Sequence, residues 1–82
     1  MLEKSDEMQL SECNVGKIYK VKKITLPLEL ERRLEALGMT DGASVSILNK
    51  KGKGILIIKL RGTRFALGNN ITKNIEVGES DE

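Results

Sequence analysis

Six cations fall within fifteen residues: Lys50, Lys51, Lys53, Lys59, Arg61 and Arg64. Lysine and arginine at this density neutralise phosphates or carboxylates. The residues therefore point to an acidic protein, an anionic membrane surface or a nucleic acid as partner, against the plainer reading of a solvated basic hairpin. Barrels that hold single-stranded nucleic acid use aromatic rings as stacking platforms, and this chain has only Tyr19 and Phe65, with Phe65 expected in the core. Nucleic acid is accordingly the weakest of the three. An arginine from such a cluster could also enter a partner's phosphoryl-transfer site, and the sequence gives no way to choose between Arg61 and Arg64 for that role.

The rest of the inventory is poor in reactive groups. There is no histidine, and Cys13 is the single cysteine. The carboxylates lie mostly near the termini or on the wet face of a helix. No nucleophile with a base and no shielded carboxylate pair can be assembled, so the chain is not expected to be an enzyme, and no catalytic residue is assigned. A protein-only transition-metal site draws on several Cys and His ligands or on clustered carboxylates, so no metal ligand is assigned either. Cys13 with Glu12 is the one combination left for a direct metal carrier; a silent thiol is the simpler reading. Gly16-Lys17 and Gly52-Lys53 lack the remainder of a phosphate-binding loop. No cofactor is implied by the residues.

The elements that must position these groups follow from spacing. Asn14 to Ile24 has strand-forming residues with Tyr19 and Val21 on one face and Ile18 and Ile24 on the other, which calls for a bulge or bend near Lys22 if all four are to meet one core. Leu26, Leu30, Leu34 and Leu37 form a narrow helical stripe, with Pro27 in the first turn and Glu29 one turn from Arg32 and Arg33. Gly38 stands where the helix needs a left-handed residue to stop, and Asp41-Gly42 makes the turn into a strand from Ser44 to Leu48. A flexible glycine-bearing loop, Asn49 to Gly54, leads to a second strand from Ile55 to Arg61. There Leu56, Ile58 and Leu60 oppose Ile55 and Ile57, so two isoleucines are left outside for a partner, a helix or a tail to cover. Gly62-Thr63 turns the chain into Arg64 to Leu67, Asn69 to Asn74 makes one helical turn, and Ile75 to Val77 closes the pattern.

This is a mainly β chain with one short helix, expected to form a small five-stranded barrel, closed or nearly so. With 82 residues there is room for one domain, burying about 60 to 65 per cent of its unfolded surface. Charge divides it further. Residues 1–13 and 78–82 each carry −3, and residues 14–77 carry +8. The expected organisation is an acidic, mobile tail at 1–13, the barrel at 14–77 and a second acidic tail at 78–82. Tail-to-body association would be screened at physiological salt. A lone cysteine supports no disulfide, no apolar run is long enough to span a membrane, and no signal-peptide pattern opens the chain, so a cytoplasmic location is expected.

Val15-Gly16, the leucine helix ending Leu37-Gly38-Met39, Asp41-Gly42, Val45, then Gly62, Leu67 and Ile75-Glu76-Val77 together resemble the ferrous iron transport protein A family, the FeoA domain, over about residues 8 to 77. The resemblance implies an SH3-like barrel and a small cytoplasmic accessory protein of ferrous iron uptake. Its partner would be the FeoB-type membrane transporter with a GTP-binding domain, through which it would associate with the membrane. Similar domains also end iron-dependent repressors, but this chain has no room for a winged helix. An association with iron(II) is implied by resemblance alone, and a weak homo-oligomer stays open. The matching glycines, Gly16, Gly38, Gly42 and Gly62, are carried over as structural. Partner contacts are assigned to Lys50, Lys51, Lys53, Ile55 and Ile57, with Arg61 and Arg64 beside them. Direct SH3-type binding of proline-rich segments is not expected, because the aromatic groove is missing.

Overall fold

Alternation of apolar and polar residues sets the strands, and the computed structural model, which describes residues 7–79, makes six of them. β1 (Glu7–Gln9), β2 (Ile18–Ile24), β3 (Ser44–Lys51), β4 (Ile55–Leu60), β5 (Thr63–Leu67) and β6 (Ile75–Glu79) form one antiparallel sheet in the order β1-β6-β2-β3-β4-β5. Helix α1 (Leu28–Ala36) lies between β2 and β3, and the single turn α2 (Asn69–Thr72) between β5 and β6. The sheet curls around Tyr19, Val21, Val45, Ile47, Ile58 and Val77, all fully buried. It does not close: β1 and β5 are its two edges, and α2 packs across that side against β4 and a 3-10 turn at Leu10–Glu12. No helix among the described residues is long and apolar enough to cross a membrane.

Six strands replace the expected five, and the additional one corrects the domain boundary. Residues 7–13, read from sequence as tail, belong to the barrel: β1 pairs with β6 through Met8↔Val77, and Leu10 and Cys13 are fully buried. A three-residue strand with one apolar side chain is too short to show alternation, and its pairing comes from main-chain groups. At the other end Gly78 and Glu79 continue β6 beyond Val77, with Glu79 3.6 Å from Lys17. Residues 1–6 and 80–82, the remainder of both expected tails, lie outside the described residues.

The bulge expected near Lys22 is present, as the β2–β6 register shifts between Val21 and Lys23. It turns Ile24 inward to half-burial while Ile18 stays 46% exposed. Lys22 then lies over Gly78, where a Cβ would stand 2.9 Å from the lysine Cε. A second bulge, between Ile47 and Asn49 in β3, has no counterpart in the sequence reading.

Helix α1 begins two residues after the first leucine of the stripe, Leu26. Pro27 is the N-cap, with extended backbone, and its carbonyl accepts the Glu31 N–H at 3.0 Å. The helix stops as expected: Gly38 has φ +108°, its N–H donates to the Glu35 carbonyl, and the Met39 N–H donates to Leu34, both at 2.9 Å. Of the stripe only Leu34 is buried, and Leu37 is 45% exposed, so the helix caps the barrel less completely than its pattern implied. The turn Thr40–Ala43 closes at 2.9 Å with Gly42 at φ +86°, and Gly42 donates to the Val21 carbonyl, tying the connection to β2.

Candidate protein-interaction surface

Pairing in β3, β4 and β5 decides which of the candidate residues meet. Leu56, Ile58 and Leu60 point into the core. Their neighbours line up outside in three rows: Lys51 with Ile55, Asn49 with Ile57 and Ala66, and Ser46 with Lys59 and Arg64. Ile55 is 39% exposed, Ile57 is half-buried, and Leu48, outward by alternation with Val45 and Ile47, is joined on this face by Asn49 through the bulge in β3. Leu48, Asn49, Lys51, Ile57 and Arg64 line a shallow depression in the middle of this wall. Lys51, Ile55, Ile57 and Arg64 are thus brought together.

The remaining candidates go elsewhere. Lys50 alternates to the other side of β3 and borders a recess with Ser11, Asn69 and Thr72 at the open side of the sheet, whose lining Lys51 and Ile55 share from the wall's edge. Lys53 stands at the tip of the loop Gly52–Gly54. That loop was expected to be flexible, but it is seated on α2: a Cβ at Gly54 would stand 2.8 Å from the Asn69 Cβ. Arg61 lies at the opposite end of the hairpin. It forms the two-residue turn with Gly62, one position earlier than the expected Gly62-Thr63, and is the only described non-glycine residue with positive φ, +53°. Its side chain covers Gly38, where a Cβ would come within 2.5 Å of the arginine Cδ. Arg61 joins hairpin to helix end and is not part of the wall.

The other structural glycines also have left-handed backbone, Gly16 at φ +91° and Gly62 at +83°. Two residues of the wall, Leu48 and Lys59, are not among the assigned partner contacts, although Lys59 is counted in the basic cluster. Leu48 lies on the outer face by plain alternation with the buried Val45 and Ile47, and the bulge that follows keeps Asn49 on that face beside it. Lys59 was legible, two positions from Ile57, and went unassigned.

Electrostatically the wall is one-sided. No Asp or Glu occurs from Gly42 to Ile75, a stretch with seven Lys and Arg. Lys59 and Arg64 are directly opposed across β4 and β5, a like-charge pair that costs stability. Among the described residues neither has an acidic partner, and Glu29 does not make the expected ion pair with Arg32 or Arg33.

Cys13 and the aromatic residues have different roles. Cys13 Sγ–H donates weakly to the Gln9 carbonyl at 3.6 Å, and burial pushes its thiol up to about 11, with Lys50 pulling the other way. A sealed, protonated thiol is a poor metal ligand. Among the described residues no three of His, Cys, Asp and Glu come together. Tyr19 is buried with its hydroxyl accepting the Asn14 N–H at 3.0 Å. Phe65, expected in the core, is half-buried at the sheet's open side because β5 is an edge.

A curled antiparallel sheet with a single turn before its last strand defines an SH3-like open barrel. Three comparisons refine this. A crystal structure of an iron uptake regulatory protein (FeoA) is 28% identical, with a TM-score of 0.81 over 90% of this chain and 99% of that one. The FeoA protein of Chlorobium tepidum is 26% identical, with a TM-score of 0.82 over 88% and 70%. A manganese-dependent transcriptional repressor is 17% identical, with a TM-score of 0.83 over 96% of this chain and 45% of the repressor, a likeness of fold alone. No curated protein matches the sequence. The FeoA domain family matches residues 8–79, and this chain belongs to that family.

Proposed function

We propose that this protein is an accessory component of ferrous iron uptake that docks, from the cytoplasm, on the GTP-binding portion of a membrane iron transporter of the FeoB type. Family membership supports the iron-uptake setting. The observation that carries the docking role is the wall of β3, β4 and β5, where Leu48, Ile55 and Ile57 are ringed by Lys51, Lys59 and Arg64 with no carboxylate in that stretch of chain. A partly apolar, uniformly basic surface fits an acidic protein face. Complementary charge raises the rate and orients the encounter more than it sets final affinity.

The protein transforms nothing in this reading, and iron is the transporter's cargo. Burial of Cys13 speaks against a direct iron carrier, and the inward or half-buried placement of both aromatic side chains speaks against a base-stacking surface. Titration of the purified transporter, both its cytoplasmic domain and its full-length form, with this protein at low and moderate salt tests the reading. Saturable binding that weakens with salt is expected; no binding to either form at micromolar concentrations would remove it.

A further inference from the structure

The basic wall ends in an unpaired strand. β5 is bonded to β4 on one side, and no described strand pairs with its other side. Because Arg61-Gly62 is a two-residue turn, Leu60 and Thr63 exchange main-chain hydrogen bonds, and bonded and non-bonded pairs alternate from there. Lys59–Arg64 and Ile57–Ala66 are then non-bonded pairs, so the N–H and C=O groups of Arg64 and Ala66 point away from β4. The side chains of Arg64 and Ala66 lie on the outer face, and those of Phe65 and Leu67, both half-buried, on the inner one.

Charge selects what could pair there. Opposed residues of a non-bonded pair have the closest side chains in an antiparallel ladder, so Lys59 and Arg64 repel at short range. The nearest carboxylates along the chain are Asp41 and Glu76. A cation pair with no acidic partner among the described residues, beside main-chain donors and acceptors that no described strand takes up, suits an anionic strand.

Taking the partner to be a protein, as in the function proposed above, we infer that β5 receives an extended acidic segment of that partner as a seventh strand. A carboxylate sits opposite Arg64, beside it on the outer face, and apolar residues of the segment cover Phe65 and Leu67. Alternating acidic and apolar residues are the recognition pattern, as in strand addition generally. A second copy of this chain is the wrong occupant, since pairing β5 with β5 would bring another Arg64 and Lys59 to the same surface. An anionic membrane offers no directed hydrogen bonds to Arg64 and Ala66, and exposed aromatic platforms for RNA are lacking.

The test is an amide NMR titration of the full chain with a designed peptide, Val-Glu-Val-Glu-Val-Glu-Val, at low salt. Saturable shifts centred on β5 are expected, with slowed hydrogen exchange at Arg64 and Ala66. Arg64→Glu should weaken binding roughly tenfold, and a peptide with Lys in place of Glu should restore it to that variant. The same peptide methylated on the nitrogens that face β5, which leaves the protein untouched, should lose binding. The inference is overturned if the methylated peptide binds equally well, if shifts centre on Lys50 to Lys53, or if phosphatidylserine vesicles or polyuridine bind with Arg64 dependence while the peptide does not. Peptide binding without transporter binding sinks the proposed function alone. Transporter binding unchanged by Arg64→Glu and by excess peptide sinks the strand addition alone.

Discussion

From Asn14 to Asp41 the chain carries six Lys and Arg together with Glu29, Glu31, Glu35 and Asp41; from Gly42 to Ile75 it carries seven and no acid at all. Both regions build the same barrel, yet their surfaces differ in kind. In the first, a cleft between β2 and α1 sets Lys22 and Lys23 among Glu31, Glu35 and Asp41. Charge of both signs is mixed here, so the local sum stays small, although among the described residues none of these groups comes within ion-pair distance of another. In the second, cations face cations across β4 and β5. Like-charge opposition is a stability cost that a free surface has no reason to keep, and surfaces that break a local rule are where function is expected.

The sharpest way to break this comparison is charge reversal on each region in turn. Replacing Lys51, Lys59 and Arg64 by Glu should reduce binding to the transporter's cytoplasmic domain by about a hundredfold or more, whereas Lys23, Arg32 and Arg33 to Glu should change it by no more than about threefold. Equal losses measured by calorimetry at one salt concentration would show that net charge alone matters. The joint between the regions comes next. Gly38→Val places a Cβ against Arg61 at a backbone angle of φ +108° and should cost about 2 kcal/mol in urea unfolding. Shortening Arg61 to Ala should recover the steric part and leave the backbone part.

A comparable effect should come from Cys13, through pH. Its thiol ionises near 11 in the folded chain against 9.0 in an unperturbed one. Below 9 both states hold the proton and the contribution is complete. As pH rises through the 9 to 11 window the unfolded state loses its proton first, so stability falls by up to about 3 kcal/mol, and Cys13→Ala should flatten that part of the profile. The smallest expected effect is the most diagnostic. Lys59→Thr removes the repulsion on Arg64 and should stabilise the fold by about 0.5 kcal/mol at low salt, fading at high salt, while weakening partner binding. A substitution that improves folding and impairs docking would show that the cost is kept for the partner.

Much of the fold was legible because single residues carried its decisive constraints. Gly38 stops the helix where only a left-handed residue fits, and the break in alternation around Val21 announces the bulge at Lys22. β1 was not legible, since Met8 is its one apolar side chain and main-chain pairing with β6 leaves no mark in the sequence. The bulge at Leu48 follows an uninterrupted alternation from Ser44 to Ile47 and so hides in a regular pattern. The surface shared this limit. Its cations could be counted from sequence, but whether Lys50 or Lys51 faces the isoleucines depends on that bulge, and only the pairing shows Lys59 opposite Arg64.

The burial of the single sulfur also gives the chain a built-in clock. With Cys13 fully enclosed and no other thiol present, an alkylating reagent can react only during moments when the barrel opens around the turn at Leu10. The rate of labelling therefore counts those openings without any introduced probe, and a bound strand that braces the seam from the β5 side would slow it.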